Sequence, residues 1–126
     1  MTKRSCGSWP IDPSVLLATA LLAGCVFAPP PGKGRLAEER FRRSDVVIAA
    51  LARYRQKHGN YPMSLSELVP SELASIPKMF VQIDVTDGGT YQLDGSAYEL
   101  SFRYYEGGMN ECFYRPGQKW VCGGYI

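Results

Sequence analysis

Residues 98 to 105, Tyr-Glu-Leu-Ser-Phe-Arg-Tyr-Tyr, carry the clearest structural pattern in the chain. From Tyr98 to Tyr104 every second side chain is apolar or aromatic, and polar or charged residues stand between them. Successive side chains of a strand point to opposite faces of a sheet. The stretch therefore predicts a β-strand with one face in a core and the other toward solvent.

Shorter segments with the same period of two flank this strand. Residues 80–85 and 90–93 precede it, and residues 111–115 and 119–122 follow it. Short strands joined by tight turns predict a small antiparallel sheet of three to five strands. The turn sequences that separate them are Asp87-Gly88-Gly89, Asp94-Gly95, Gly107-Gly108 and Pro116-Gly117.

Residues 35 to 58 predict one amphipathic helix that covers the sheet, because apolar residues recur there at spacings of three, four and seven. His58 ends this helix in a position that the helix dipole favours for an imidazolium, and Gly59 suits a C-cap. Ser64 and Glu67 have the spacing of a capping box at a second, short helix. The predicted fold class is α+β, with one long N-terminal helix packed on the sheet. The predicted apolar face is Phe41, Val47, Ile48, Ala50, Leu51 and Tyr54, and the other faces carry Arg40, Arg42, Arg43, Arg53, Arg55 and Lys57.

The start of the chain resembles the signal of a bacterial lipoprotein. Lys3 and Arg4 give a positive start, and residues 15–23 form an uncharged apolar stretch that is too short to span a bilayer. Leu22-Ala23-Gly24-Cys25 resembles the lipobox of lipoproteins. The resemblance implies removal of residues 1–24 and attachment of acyl chains such as palmitate to Cys25. The alternative is a short apolar helix in the core, with Cys25 as an ordinary buried thiol.

Residues 25–34 predict a tether between the lipid and a domain that spans residues 35–126. Pro29-Pro30-Pro31, followed by glycines, cannot continue a helix or a sheet and favours a semi-rigid extended spacer. By resemblance to proteobacterial sorting rules, Val26 permits transfer to the outer membrane. We therefore expect a lipid-anchored protein of the cell envelope, on the outer membrane facing the periplasm rather than on the inner membrane.

Cys112 and Cys122 are predicted to form a disulfide. They are the pair that remains after signal removal and lipidation of Cys25, and an exported protein favours bridging such a pair. A three-residue loop at 116–118 would place the two cysteines directly opposite each other, whereas a two-residue loop would put them out of register. Two unbridged thiols are the alternative. The three-residue loop also sets Tyr114 opposite Trp120 and predicts a left-handed residue at Gly117 or Gln118.

Tyr54 to Leu68, Tyr-Arg-Gln-Lys-His-Gly-Asn-Tyr-Pro-Met-Ser-Leu-Ser-Glu-Leu, resembles the helix-to-loop junction of type II secretion major pseudopilins and related type IV pilin-like domains. The resemblance implies a helix lying on a small antiparallel sheet. A lipobox and a proline tether stand where pilins carry an apolar polymerisation helix, so we do not expect filament assembly. The calcium site of pseudopilins is not carried over, because turn formation explains Asp84, Asp87 and Asp94 better.

Charge is distributed unevenly along the chain. Residues 33–57 carry eight Lys or Arg against three acidic residues, a balance of +5, and residues 58–126 carry four against eight, a balance of −4. The formal net charge of +2 suggests no nucleic-acid partner. The basic segment is interpreted either as a stem that faces anionic lipid headgroups or as an ordinary solvated helix face.

The sequence favours a binding protein over an enzyme. His58 is the single histidine, so a Ser-His or Cys-His pair would have to be built on it, and we expect no catalytic residue, metal or cofactor. The leading hypothesis is a non-enzymatic envelope lipoprotein that binds a protein partner, for example in a secretion assembly. The alternative is a carbohydrate or peptidoglycan-binding module, and an envelope enzyme ranks third. The candidate binding surface comprises Tyr105, Phe113, Tyr114 and Trp120.

Processing at the lipobox gives the first prediction. Mass spectrometry of the mature N-terminus should show an acylated Cys25, because the small residues before it fit the peptidase groove and its thiol takes the lipid. Globomycin should block this processing. An unmodified Cys25, or cleavage at another bond, would contradict the lipoprotein interpretation.

Overall fold

The structure, a computed structural model, describes residues 27–82, 84 and 86–125, with the side chain of Tyr125 not described. The predicted signal peptide 1–24, the lipobox and Cys25 lie outside the described residues, as does Val26. The described chain forms one α-helix, two short 3-10 helices and a four-stranded antiparallel sheet. The predicted α+β class is thereby confirmed.

The helix, α1, spans Arg35–His58, the bounds predicted from its periodicity. It ends where the N–H of Gly59 donates to the Arg55 carbonyl at 2.8 Å. Most of the predicted apolar face points into the core, with Val47, Ala50 and Leu51 fully buried.

Arg40 departs from the prediction that all the basic residues of α1 lie on its solvent faces. Only 7% of it is exposed, and its guanidinium pairs with Asp87 and lies 5.6 Å from the centre of the Tyr104 ring. A long side chain can bury its stem while its charged end meets an acidic partner, and helical periodicity does not report that partner.

The sheet has the order β1-β2-β3-β4, and all neighbours are antiparallel. Three of the predicted turns, at Asp94-Gly95, Gly107-Gly108 and Pro116-Gly117, join the strands, whereas the predicted turn at Asp87-Gly88-Gly89 is wrong, because Gly88 and Gly89 pair with β2 as the first residues of β1. Their bounds are Gly88–Asp94 for β1, Ala97–Tyr105 for β2, Met109–Tyr114 for β3 and Val121–Tyr125 for β4.

The predicted strand over residues 80–85 is wrong for the four residues of this range that the structure describes, 80–82 and 84. Lys78–Phe80 forms a 3-10 helix, and Val81 and Gln82 continue as a turn. The N–H of Phe80 donates to Pro77, and those of the next two residues donate to the Lys78 carbonyl at 3.0 and 2.9 Å. These donors are therefore used locally and cannot join a sheet ladder. The Phe80 ring packs over Gly89 and both core clusters instead.

The inner face of β2 forms the centre of the core. Its four side chains, Tyr98, Leu100, Phe102 and Tyr104, are at most 2% exposed. Tyr98 and Leu100 pack with α1 and Leu68 in one cluster, while Phe102 and Tyr104 pack with the start of α1 in another. Full burial of a large apolar side chain contributes roughly 1.5–3 kcal/mol. Burial also raises the pKa of Tyr98 well above its ordinary value, so its phenol stays neutral.

The C-terminal hairpin has the predicted register. Cys112 lies opposite Cys122 and forms the disulfide, with Cα atoms 4.1 Å apart. Gln118 N–H donates to the Arg115 carbonyl at 3.0 Å, and Gly117 takes the left-handed conformation at φ 77° that the turn requires. The disulfide and the left-handed glycine are both confirmed. The rings of Tyr114 and Trp120 meet across the hairpin at 5.3 Å, as the three-residue loop predicts.

Glu72 attaches the segment after α1 to the end of the helix. Its side chain is 2% exposed and accepts hydrogen bonds from Lys57 Nζ at 2.6 Å and Arg53 Nε at 3.0 Å. The hydrogen bond from Lys57 is the main cause that lowers the pKa of this carboxyl, and Arg53 adds to it. The short 3-10 helix Leu65–Leu68 in the same segment begins where Glu67 accepts the Ser64 N–H at 3.0 Å.

Replacing Glu72 with Gln should lower the urea midpoint at neutral pH, because it removes the negative charge that two cations share. Glu39→Gln, at the exposed pair with Arg43, is the matched control and should change the midpoint much less.

The pH dependence of this effect has a definite sign. The folded-state pKa of Glu72 is lowered, so its contribution is present above the ordinary carboxyl pKa and is lost as pH falls through the lowered value. The difference between wild type and Glu72→Gln should therefore shrink in acid. Equal urea midpoints for wild type and Glu72→Gln at neutral pH would show that the Glu72 carboxylate does not contribute to stability.

Candidate functional site

The outer face of the sheet, opposite α1, divides into a polar half and an apolar half. On β1 and β2 it carries the polar residues Thr90, Gln92, Glu99 and Ser101, of which Ser101 is buried. On β3 and β4 the outward positions include the apolar residues Met109, Phe113 and Val121, together with Glu111 and Gly123. We call the apolar strip the set Tyr105, Met109, Phe113 and Val121.

The apolar strip consists of two cross-strand pairs. Phe113 lies opposite Val121, which is 66% exposed, and Tyr105, which is 67% exposed, lies opposite Met109. Between the two pairs, Arg103 Nε donates to the Glu111 carboxylate at 3.1 Å. The ion pair of Arg103 and Glu111 therefore separates the two apolar pairs of the strip.

A fixed polar rim borders the strip on the side of β1. Arg115 donates to Glu99 at 3.1 Å and to Asp94 at 3.0 Å, and these hydrogen bonds raise the pKa of its guanidinium. The hydroxyls of Thr90 and Ser101 lie 2.6 Å apart. These groups satisfy one another and leave the apolar strip as the part of the outer face without polar cover.

The four residues predicted as a binding surface do not form one surface. Tyr105 and Phe113 lie on the outer face, as expected, whereas Tyr114 and Trp120 point to the inner face. Trp120 packs against Phe41 at 5.1 Å and against Phe102 at 5.2 Å. The reason is the period of two, because Phe113 and Tyr114 are adjacent in one strand and must face opposite ways. The residues that sequence reasoning missed, and that the hairpin register could have identified, are Met109 and Val121.

The predicted tether does not stand free of the domain. Gly32 N–H donates to the Tyr104 hydroxyl at 2.8 Å, and a Cβ added to Gly32 would lie 2.8 Å from Cys122 Sγ. Ala28 packs so closely against Gly107 that a side chain there would overlap it. Proline and glycine prevent helix and strand here, but they still permit an extended segment to dock. Within residues 28–34 the segment therefore contacts the domain at Ala28 and Gly32.

An open groove of about 460 Å³ lies between the docked tether, α1 and the hairpin. Its apolar wall is formed by Phe41, Trp120 and Cys122, and its charged residues are Lys33 and Asp45. Pro31, Gly32 and Lys33 of the tether form its remaining wall.

The acidic residues near turns have local partners. Asp84 accepts the Thr86 N–H at 2.9 Å, which lowers the pKa of its carboxyl, while Asp87 pairs with Arg40 and Asp94 with Arg115. Within residues 27–82, 84 and 86–125, no three His, Cys, Asp or Glu side chains group in a way that could hold a metal ion. In the same part of the chain no helix combines the length and apolarity needed to cross a membrane.

Comparisons of the chain with protein-family models, with curated proteins and with solved structures find no match.

The docked tether gives a prediction at Tyr104. Tyr104→Phe keeps the buried ring but removes the hydroxyl that accepts the Gly32 N–H, so the amide of Gly32 should exchange with deuterium faster. The expected loss of stability is about 0.5–1.5 kcal/mol, the net value of one hydrogen bond. Tyr105→Phe is the matched control, because it removes a neighbouring but exposed hydroxyl and should change neither quantity. Unchanged exchange at Gly32 in Tyr104→Phe would mean that the tether is not held there.

Proposed function

We propose that this chain is a non-enzymatic lipoprotein of the bacterial envelope, anchored through Cys25, whose domain binds a protein partner. The observation that carries the binding role is the apolar strip on the outer face of the sheet. The lipobox supports the anchor, and the disulfide between Cys112 and Cys122 is consistent with an oxidising compartment. We place the protein on the outer membrane facing the periplasm.

The composition of the outer face favours a protein as the ligand. Antiparallel sheets with one open face normally alternate apolar inward and polar outward residues. Here Phe113 and Val121 break that alternation, and the paired charges of Arg103 and Glu111 lie beside them. Protein interfaces combine apolar and aromatic contacts with a polar rim in this way. The apolar strip therefore favours contact with a complementary protein surface over contact with water.

The groove beside Trp120 supports a second candidate function, binding of a carbohydrate such as peptidoglycan. Sugar rings stack on aromatic side chains, and Lys33 and Asp45 could meet hydroxyl groups at the groove. However, Phe41, Phe102 and Tyr114 lie within 5.1–5.3 Å of the Trp120 ring and occupy much of its surface. We therefore rank glycan binding below protein binding.

We also propose that the domain is related to the pilin-like domains of type II secretion systems. The order of a long helix, Gly59-Asn60-Tyr61-Pro62, a short helical turn and an antiparallel meander supports this relationship. Under this proposal the partner is a component of a secretion or pilus-type assembly. The lipid on Cys25 would replace the apolar helix with which pilins enter their filaments.

Site-specific photocrosslinking in intact cells tests the binding role. With p-benzoylphenylalanine in place of Phe113, irradiation should give a reproducible adduct with one protein, and the same residue in place of Gln92 should not. Gln92 is the matched position, because it is exposed on the polar half of the same face.

A charge at the strip should remove this adduct. Val121→Lys should lower the yield about tenfold or more, because an unpaired charge at an apolar contact costs more than about 1.4 kcal/mol. Gln92→Lys should leave the yield unchanged. Recovery of no discrete protein adduct at position 113 would contradict a protein-binding role for the strip.

A further inference from the structure

The docked tether limits how far the domain can lie from its anchor. As a free extended spacer, the predicted tether of residues 25–34 would reach roughly 30 Å at about 3.1 Å per residue. With Ala28 fixed against Gly107, only three peptide steps remain back to Cys25. Those steps span at most about 11 Å. A lipid on Cys25 would therefore hold the β2–β3 turn, residues 106–108, at the bilayer surface.

Two exposed aromatic side chains lie at this end of the domain. Phe27, which is 66% exposed, immediately precedes the Ala28 contact, and Tyr105 ends β2 beside the turn. Met109 follows the turn as the partner of Tyr105. Aromatic side chains prefer the interface between lipid headgroups and acyl chains. We call the anchor end the set Phe27, Lys33, Arg35, Tyr105 and Met109.

The charges at the anchor end also suit a membrane surface. Most basic side chains farther along α1 have acidic partners, including Arg53 and Lys57 with Glu72. Lys33 and Arg35 have no acidic partner within the described part of the chain, and they flank Gly34, the residue that precedes the helix.

Three acidic residues lie in the region of Lys33 and Arg35. Asp45 lines the same groove as Lys33, Glu38 is in the first turn of α1, and an oxygen of Glu106 would lie 3.4 Å from a Cβ added to Gly34. Lys33 and Arg35 are both exposed and form no ion pair with these three within the described residues, so their side chains are available to lipid phosphates.

We propose that the anchor end seats directly on an anionic phospholipid bilayer, with Phe27 and Tyr105 in the interface and Lys33 and Arg35 at lipid phosphates. This inference rests on the proposed lipid at Cys25. It also divides the apolar strip between two partners. Tyr105 and Met109 face lipid, whereas Phe113, which pairs with Ser101 four residues back along β2, lies about 13 Å farther from the turn.

Lipid photocrosslinking of the full chain tests this orientation. The protein is purified from bacterial membranes with p-benzoylphenylalanine replacing either Tyr105 or Ser96, and mass spectrometry establishes whether Cys25 is acylated. Ser96 is the matched position, because it is exposed in the turn at the opposite end of β2. Each protein is then irradiated in vesicles of phosphatidylethanolamine and phosphatidylglycerol, and phospholipid adducts are counted.

The expected result is several-fold more phospholipid adduct at position 105 than at position 96. In the Lys33→Gln, Arg35→Gln double variant this excess should lose its dependence on phosphatidylglycerol. Equal labelling at the two positions in the acylated protein would overturn the orientation and leave the lipoprotein proposal standing. An adduct with protein instead of lipid at position 105 in membranes would also overturn it. An unacylated Cys25 would overturn both proposals together.

Discussion

The inward side chains of β2 connect every layer of this protein. Tyr98 and Leu100 pack against the middle of α1, while Phe102 and Tyr104 pack against its start. The same strand pairs with β1 on one side and β3 on the other, so its burial fixes the register of the whole sheet. Tyr104 extends this role beyond the core, because its hydroxyl accepts the Gly32 N–H and so fixes the approach of the preceding chain.

One helix can cover only one face of such a sheet, and this limit creates the candidate interaction surface. On the face opposite α1, Phe113 and Val121 present apolar side chains beside the paired charges of Arg103 and Glu111. The disulfide contributes to both faces of the sheet. It holds the hairpin in which Val121 points to the outer face, and Cys122 Sγ lies close to Gly32 on the inner face. The segment before α1 and the apolar strip are thus connected through the same two strands.

The spacing of apolar residues along the sequence was enough to predict the elements in which buried side chains recur at one regular interval. The bounds of α1, the register of Cys112 with Cys122 and the alternation of β2 came from the sequence correctly. The errors arose where a local hydrogen bond or a distant partner decided the outcome. Phe80 ends a 3-10 helix, because its N–H donates to the Pro77 carbonyl. Arg40 is buried because it pairs with Asp87, a partner that lies far away in sequence. The docking of residues 28–34 depends on tertiary contacts that no periodicity reports.

The central claim is that the segment before α1 is packed on the domain and would bring the proposed lipid anchor to the β2–β3 turn. Nuclear Overhauser spectroscopy of the mature, acylated chain in detergent micelles tests it directly. The account predicts cross-peaks between the Ala28 methyl group and the α protons of Gly107, together with a protected amide at Gly32. Absence of these cross-peaks, with random-coil chemical shifts for residues 28–33, would contradict it.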